Sequence, residues 1–316
     1  MKAPTTRTGK ELDIGGRRLT IANLDRVVFP RTGTTKGELL AYYVRIGETM
    51  LAHLRARLLH MHRYPEGVDG PRFWQKGCPE HKPEWVPTVS VWSRDKRAPI
   101  DYCVVEELAG VLWAVNIGSI ELHTSLHHRD ALHTPAAIAF DLDPGEGAGL
   151  VECCAVALRL RDVLHGLGLW SAVKTSGSKG LQVYAPLNDP AVTYAVTKPL
   201  SRAIAERLEA QTPDAVVSRM ARRLRAGKVL IDWSQNTEHK SMVCAYSVRA
   251  KERPTVSTPL KWDEVEHAGE RRDAAALVFE TDDVLARVAE HGDLFAPVLS
   301  RRQTLPEAVV QSSLRT

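Results

Sequence analysis

The run AAIAFDLDPGEG, residues 136–147, limits what this chain can fold into more than any other stretch. Five small or apolar residues suit a buried strand, yet that strand finishes on two carboxylates, Asp141 and Asp143. Side chains at i and i+2 of a strand share a face. The two aspartates therefore project together, with Leu142 turned into the opposite layer. Like charges so placed repel, and a divalent cation or a proton relieves them. Carboxylates prefer hard ions such as Mg²⁺ or Mn²⁺. Two such ions about 3.5–4 Å apart commonly drive in-line phosphoryl transfer. On its own D-x-D is a weak signal, and aspartates capping a turn at Pro144-Gly145 are the plain alternative.

Other segments add to the first. Asp232 ends the apolar run VLI in KVLIDWSQN as Asp141 ends IAF, and three carboxylates can surround two metals. KTSGSKGLQVY, residues 174–184, places Ser176 and Lys179 in a Gly/Ser turn whose backbone N–H groups can face phosphate oxygens. This is not a Walker A loop, which needs G-x-x-x-x-G-K-[ST]. His123 ends the apolar piece IEL, within reach of a triphosphate, whereas His127 and His128 read as surface residues. Arg225 and Gln235 flank Asp232, and Arg249 follows; arginine suits a leaving pyrophosphate or a template strand. The run SRMARRLRAGK, residues 218–228, reads as a solvated helix face.

The pattern along the chain is α/β or α+β. Residues 11–30 read as short β segments around Gly-Gly, and a helix is expected from Thr35. Residues 1 to about 110 form an N-terminal lobe in this reading, and about 111–300 the catalytic lobe. Within the second lobe, VLWAVNIGSIELH leads into a strand, IAFDLD is a strand, and GLVECCAVALRLRDVLHGLGL is a helix. SAVKTSGSKGLQVYAPL gives two strands about a turn, VTKPLSRAIAERLEAQ is helical, and KVLIDWSQ is a strand. A short helix is expected in SRRQTLPEAVVQSSLRT.

Composition excludes little beyond a membrane span: 44% of the 316 residues are hydrophobic and no 18-residue apolar run occurs. The N-terminus lacks the apolar core of a signal peptide, so a cytoplasmic protein is expected. The net charge of +4 permits a polyanionic partner without demanding one. Five cysteines without framework spacing read as reduced thiols, with Cys153-Cys154 in the core. Cys78 and His81 could supply two zinc ligands, but no second pair completes a site.

IELH, FDLDPGEG, KTSGSKGL and VLIDWSQN together resemble the polymerase domain of bacterial ATP-dependent DNA ligase D, in the archaeo-eukaryotic primase superfamily. The resemblance covers nearly the whole chain and includes ANLDRVVFPRTGTTKGELLAYY near the N-terminus. It implies a two-lobed primase-polymerase fold, residues 1–316 as a single domain, with an RRM-like catalytic sheet. The implied activity is template-directed nucleotidyl transfer in non-homologous end joining: gap filling, end extension or priming. Asp141, Asp143 and Asp232 match the family's metal-binding carboxylates, holding two Mn²⁺ or Mg²⁺ ions, with Mn²⁺ favoured. His123, Ser176, Lys179, Arg225, Gln235 and Arg249 match contacts to the incoming NTP or dNTP, with ribonucleotides readily accepted. Asn23, Arg26 and Lys36 match a pocket for the downstream 5′-phosphate, with Arg26 where lysine is common. Arg63, Phe73 and Trp74 match DNA-binding positions, the two aromatics stacking on template bases.

The implied partners are gapped DNA or double-strand ends carrying a 5′-phosphate, a Ku-like protein, and a separate ATP-dependent DNA ligase. No membrane partner is implied, and the expected location is the bacterial cytosol or nucleoid. Gln182 departs from the pattern, since many relatives have His there and Gln cannot become cationic. No ligase or nuclease module accompanies the domain, which suggests a stand-alone polymerase or an excised domain. Two alternatives fit less well. A haloacid-dehalogenase-type phosphatase needs Thr or Val two residues after the second Asp, where this chain has Gly145. A catalytically weak DNA-end-binding scaffold would not need all three aspartates.

Overall fold

The computed structural model describes residues 9–93 and 96–307. The chain opens with two small strand pairs, β1 (Lys10–Ile14) with β2 (Arg17–Ile21) and β3 (Val27–Phe29) with β4 (Thr34–Thr35). Helix α1 (Lys36–Leu54) begins where TTKGE predicts. The Thr35 side chain accepts from the Glu38 N–H, and the Glu38 carboxylate accepts from the Thr35 N–H. That reciprocal box satisfies two donors a helix start leaves open. Leu39, Tyr43, Ile46, Met50 and Leu54 recur at helical spacing and are all buried.

Strands β5 (Arg57–Arg63), β6 (Phe73–Gln75), β7 (Thr88–Ser93) and β8 (Ala98–Val104), helix α2 (Leu108–Asn116) and strand β9 (Ser119–His128) follow. Next come β10 (Ala137–Pro144), α3 (Leu150–Gly166), β11 (Ala172–Thr175), β12 (Leu181–Pro186) and α4 (Tyr194–Gln211). The chain finishes with β13 (Val216–Val217), β14 (Val229–Asp232), β15 (Met242–Val243), β16 (Pro259–Leu260), α5 (Trp262–Arg271), α6 (Thr281–His291) and α7 (Ala296–Ser300).

Two sheets organise these elements into two lobes. The first runs β15-β9-β5-β8-β7 with β6 added to β5, and the second runs β13-β14-β10-β12-β11-β16. The first sheet thus continues past residue 110 to His128 and takes a late strand from β15. Alternation decides the two faces of the second sheet. Ile138, Phe140 and Leu142 of β10 join Leu181, Val183 and Ile231 in a core with Cys153, Val156 and Leu160 of α3 and Leu200 and Ile204 of α4. The intervening residues, Asp141 among them, face away from those helices.

Three expectations change. Residues 218–228 form only a short 3₁₀ turn at Arg222–Leu224. They connect the parallel pair β13–β14, and crossing back to the start of a parallel neighbour leaves no room for a regular helix in so short a segment. Cys78 and Cys103 are joined in a disulfide, their Cα atoms 4.9 Å apart, while Cys153, Cys154 and Cys244 are free and buried. The loop after β6 folds back on β8, and the Cys78 N–H donates to Asp101 O at 2.6 Å. Cys78 is thereby removed as a zinc ligand. His127 is buried, not a surface residue: its Nδ1 pairs with the Tyr194 hydroxyl at 2.9 Å. Residues 301–306 are irregular, and the remainder of the expected C-terminal helix lies outside the described residues.

Candidate active site

Strand register builds the centre of the site. Asp141 of β10 sits opposite Asp232 of β14 on one side and Gln182 of β12 on the other. Gln182 in turn sits opposite Lys174 of β11. Four polar side chains therefore cross four neighbouring strands in one row on the face away from α3 and α4. Asp143, two residues on, extends the anionic end. Within the row the Gln182 Nε2 donates to Asp141 Oδ1 at 3.0 Å.

The carboxylates are poorly compensated. Burial, then the neighbouring Asp143 charge, pushes Asp141 up to about 7, despite the Gln182 hydrogen bond. Asp143 is raised too, by burial and by Asp232, against the pull of Arg225 and Arg249. Asp232 is better satisfied: its Oδ1 accepts from the Ser234 N–H and hydroxyl at 2.9 and 2.5 Å, and its Oδ2 from Gln235 Nε2 at 2.9 Å. Lys240 Nζ lies 3.7 Å from the same carboxylate. Among the described residues no three His, Cys, Asp or Glu side chains converge tightly enough to hold a metal as they stand. The register gathers three carboxylates, but the Asp232 side chain is turned onto its own 3₁₀ turn. Crowded oxygen donors of raised pKa, Asp141 half-buried and Asp143 exposed at the cavity, fit a hard divalent cation.

Opposite the aspartates lies a cavity of about 700 Å³. His123, Asp141, Asp143, Ser176, Lys179, Arg225 and Arg249 all line it, together with Arg222 and Lys251. Asp232 and Gln235 do not. Glycine makes the Ser/Lys turn possible. Gly177 has φ +65°, and a Cβ there would strike the Val256 backbone and the Arg249 side chain; a Cβ on Gly180 would strike Leu142 O. The turn is less open than KTSGSKG suggests, because the Ser178 and Gly180 N–H groups both donate to Ser176 Oγ at 3.2 Å. The Arg249 guanidinium donates to Ser176 O and fixes the turn from outside.

Glu121, which no local sequence pattern marks, underlies this wall. Glu121 is buried, and its carboxylate takes His123 Nε2 at 3.0 Å, His62 Nδ1 at 3.5 Å and the Ala250 N–H at 3.0 Å. Arg249 Nε lies 3.2 Å from Glu121 Oε1, an ionic contact without hydrogen-bond alignment. The His123 ring meets Trp74 edge-on at 4.7 Å, so the exposed aromatic strand β6 adjoins the cavity. Phe73 points to the other side, under the Arg63 guanidinium at 5.0 Å.

A second cavity, about 550 Å³, gathers Asn23, Arg26, Lys36 and Arg63 with Tyr64 and Asn116. Arg26 donates to Pro65 O at 2.5 Å, Lys36 Nζ to Ala22 O and Asn116 Oδ1 at 2.8 and 2.6 Å, and Arg63 to Ile117 O at 2.6 Å. The start of α1 offers this pocket charge rather than open N–H groups. The N–H groups of Lys36 and Gly37 already donate to Arg26 O and Leu24 O, and that of Glu38 to Thr35.

The chain is similar to known proteins over most of its length. Residues 35–295 match the family described as LigD, primase-polymerase domain. The chain is 36% identical over 299 residues to a multifunctional non-homologous end joining protein LigD of Mycobacterium bovis, covering 90% of this chain and 38% of the relative. It is 28% identical over 298 residues to the bifunctional non-homologous end joining protein LigD of Bacillus subtilis, covering 94% of this chain and 47% of the relative. The chain thus spans less than half the length of these relatives. Among solved structures, the polymerase domain of Mycobacterium tuberculosis ligase D in complex with DNA superposes with a TM-score of 0.82 at 34% identity, covering 90% of this chain and 99% of that one.

Proposed function

Since this chain belongs to the LigD primase-polymerase domain family, we propose that it is a template-directed nucleotidyl transferase that fills gaps and extends DNA ends in non-homologous end joining. One observation carries the reading: a single cavity sets Asp141 and Asp143 against Ser176, Lys179, Arg225 and Arg249. Acid on one wall and cations on the other match the two ends of a cation-bound nucleoside triphosphate.

In this reading Asp141 and Asp143 hold Mn²⁺ or Mg²⁺, and Asp232 joins them by rotating off Ser234. Two bound ions would acidify the primer 3′-hydroxyl and neutralise charge at the α-phosphate. The chain's own groups do the rest. Ser176, Lys179 and Arg249 grip the β- and γ-phosphates, Arg225 faces the leaving pyrophosphate, and His123 orients the nucleotide. Gln235 acts through Asp232, since it does not line the cavity. Trp74 and Phe73 offer stacking surfaces to template bases. Asn23, Arg26, Lys36 and Arg63 receive the 5′-phosphate across the gap, so the N-terminal lobe, residues 1 to about 110, reads the DNA end. Loading by a Ku-like protein and sealing by an ATP-dependent ligase in the bacterial cytosol complete the proposal. Among the described residues no helix is long and apolar enough to cross a membrane.

The test is extension of a labelled primer bordering a short gap with a 5′-phosphate, given Mn²⁺ and each nucleotide separately. The reading expects addition of the nucleotide complementary to the template base. Absence of addition with all four nucleotides rejects it in favour of a binding scaffold.

A further inference from the structure

Lys174 is a buried charge on β11, opposite Gln182. It is 1% exposed, inside the apolar strand AVKT, and no carboxylate forms an ion pair with it among the described residues. Its ammonium instead donates to three neutral oxygens: Gln182 Oε1, Ser257 Oγ at 2.6 Å and Val243 O at 3.1 Å. Each of these must accept. A backbone carbonyl can do nothing else, and Ser257 already donates its own proton to Thr175 O at 2.8 Å. Lysine has three donors and no acceptor, so its surroundings account for all three protons.

That arrangement decides the orientation of one amide. A glutamine side chain can usually be turned end for end, its oxygen and nitrogen exchanged. Burial lowers Lys174 to about 7, and while it carries its proton only the oxygen end of Gln182 is compatible beside it. The Gln182 Nε2 is therefore directed across the next strand, where it donates to Asp141 Oδ1 at 3.0 Å. The row Lys174–Gln182–Asp141 transmits a preference from a buried cation to the central carboxylate, through cross-strand partners. One Asp141 oxygen is held by a fixed donor, and its carboxylate plane is set by that bond. Val243 lies on β15, opposite His123, so the same ammonium also ties the two sheets together beside the cavity.

We infer that Lys174 is a positioning residue, which fixes the Gln182 amide and through it orients Asp141 for a divalent cation. The inference rests on the proposed cation-dependent transferase reading. Hydrogen bonds that orient a metal's ligands are commonly worth about 10- to 100-fold in metal affinity. Simple charge arithmetic points the other way, because removing a cation near an anionic site should tighten cation binding. The sign of the effect therefore separates positioning from bulk electrostatics.

The experiment measures Mn²⁺ binding directly, by electron paramagnetic resonance of the free ion, with nucleotide and DNA absent. Lys174→Met is expected to weaken Mn²⁺ binding about 10-fold or more. Gln182→Met should weaken it similarly, and the double variant should be no worse than either single one, because both remove the same device. Gln182→His should stay within about twofold, since a neutral imidazole can accept from Lys174 and donate to Asp141. If Lys174→Met does not fold, Gln182→Met against Gln182→His decides: equal affinities overturn the inference. Mn²⁺ bound as tightly or more tightly by folded Lys174→Met, or additive losses in the double variant, also overturn it. Unsubstituted protein that binds no more Mn²⁺ than Asp141→Ala would instead overturn the cation reading on which it rests.

Discussion

Two carboxyls of opposite behaviour, Glu121 buried and Asp141 half-buried, define the site at the scale of single residues. Glu121 lies well below the usual carboxylate range: burial alone would raise it, but hydrogen bonds from His123 and His62 and the Arg249 charge more than reverse that. A depressed carboxyl stabilises the fold above its unfolded pKa of about 4.3, and that contribution fades as pH falls from there toward the folded value. Melting temperature should therefore drop less for Glu121→Gln than for the unsubstituted protein between about pH 5 and pH 3. At neutral pH the same variant loosens His123 and Arg249 together. Its KM for nucleotide should rise about 10-fold with kcat changed less, as expected for loss of a charged hydrogen bond. An unchanged KM would make Glu121 a purely structural acid. Asp141 runs the other way. With its pKa pushed up to about 7, the folded protein holds a proton that the unfolded chain releases, so this residue costs stability as pH rises from about 4 through 7. In chelator at about pH 8, Asp141→Asn should melt roughly 2 °C or more above the unsubstituted protein. Saturating Mn²⁺ should narrow or reverse that gap by stabilising the unsubstituted protein. Equal melting temperatures in chelator would show that Asp141 carries no such strain.

Elements place these residues, and the sequence revealed elements unevenly. Apolar runs that end in aspartate marked β10 and β14 correctly, since alternation and a charged end are local features of a strand. The capping box at Thr35 was equally local, and α1 starts there. Cross-strand register is not local. Lys174, Gln182, Asp141 and Asp232 form one row only because β11, β12, β10 and β14 happen to pair in that order, and no spacing in the sequence encodes it. Glu121 escaped notice for a similar reason: SIELHTS alternates like a half-exposed strand, yet packing buries its acid against two histidines and an arginine. The Cys78–Cys103 link depends on the loop after β6 folding back on β8, which cysteine spacing does not reveal. Two predictions belong to this scale. Gly177→Ala forces an L-residue to φ +65° against the Val256 backbone, so it should destabilise the protein by at least about 1 kcal/mol and weaken nucleotide binding. Wild-type stability in that variant would mean the turn relaxes freely. In the N-terminal pocket, Arg26→Ala with Lys36→Ala should weaken binding to gapped DNA bearing a 5′-phosphate by about 2–4 kcal/mol, roughly 30- to 1,000-fold. Binding to the same DNA with a 5′-hydroxyl should change far less. Equal affinity of the unsubstituted protein for the two DNAs would remove the pocket's proposed role.

At the scale of the whole molecule, the site exists because two sheets meet. The second sheet contributes Asp141, Asp143 and the Ser176–Lys179 turn, while the first contributes His123 from β9 and Trp74 from β6. Family membership and two-lobed architecture could be read from four short motifs, three of which sit on a strand end or turn whose chemistry their residues already express, while IELH lies inside β9. The division of labour between lobes could not be read as cleanly, since β9 and β15, both past residue 110, complete the first sheet. Nucleotide addition at the paired carboxylates of this junction is the proposed reaction. Its most direct test is the single-turnover rate of templated addition to a gapped duplex by Asp143→Asn, beside binding of the same nucleotide. The rate should be lower by about 1,000-fold or more, with the nucleotide still bound through Lys179 and Arg249. A rate within about tenfold of the unsubstituted protein would contradict it and place the chemistry elsewhere.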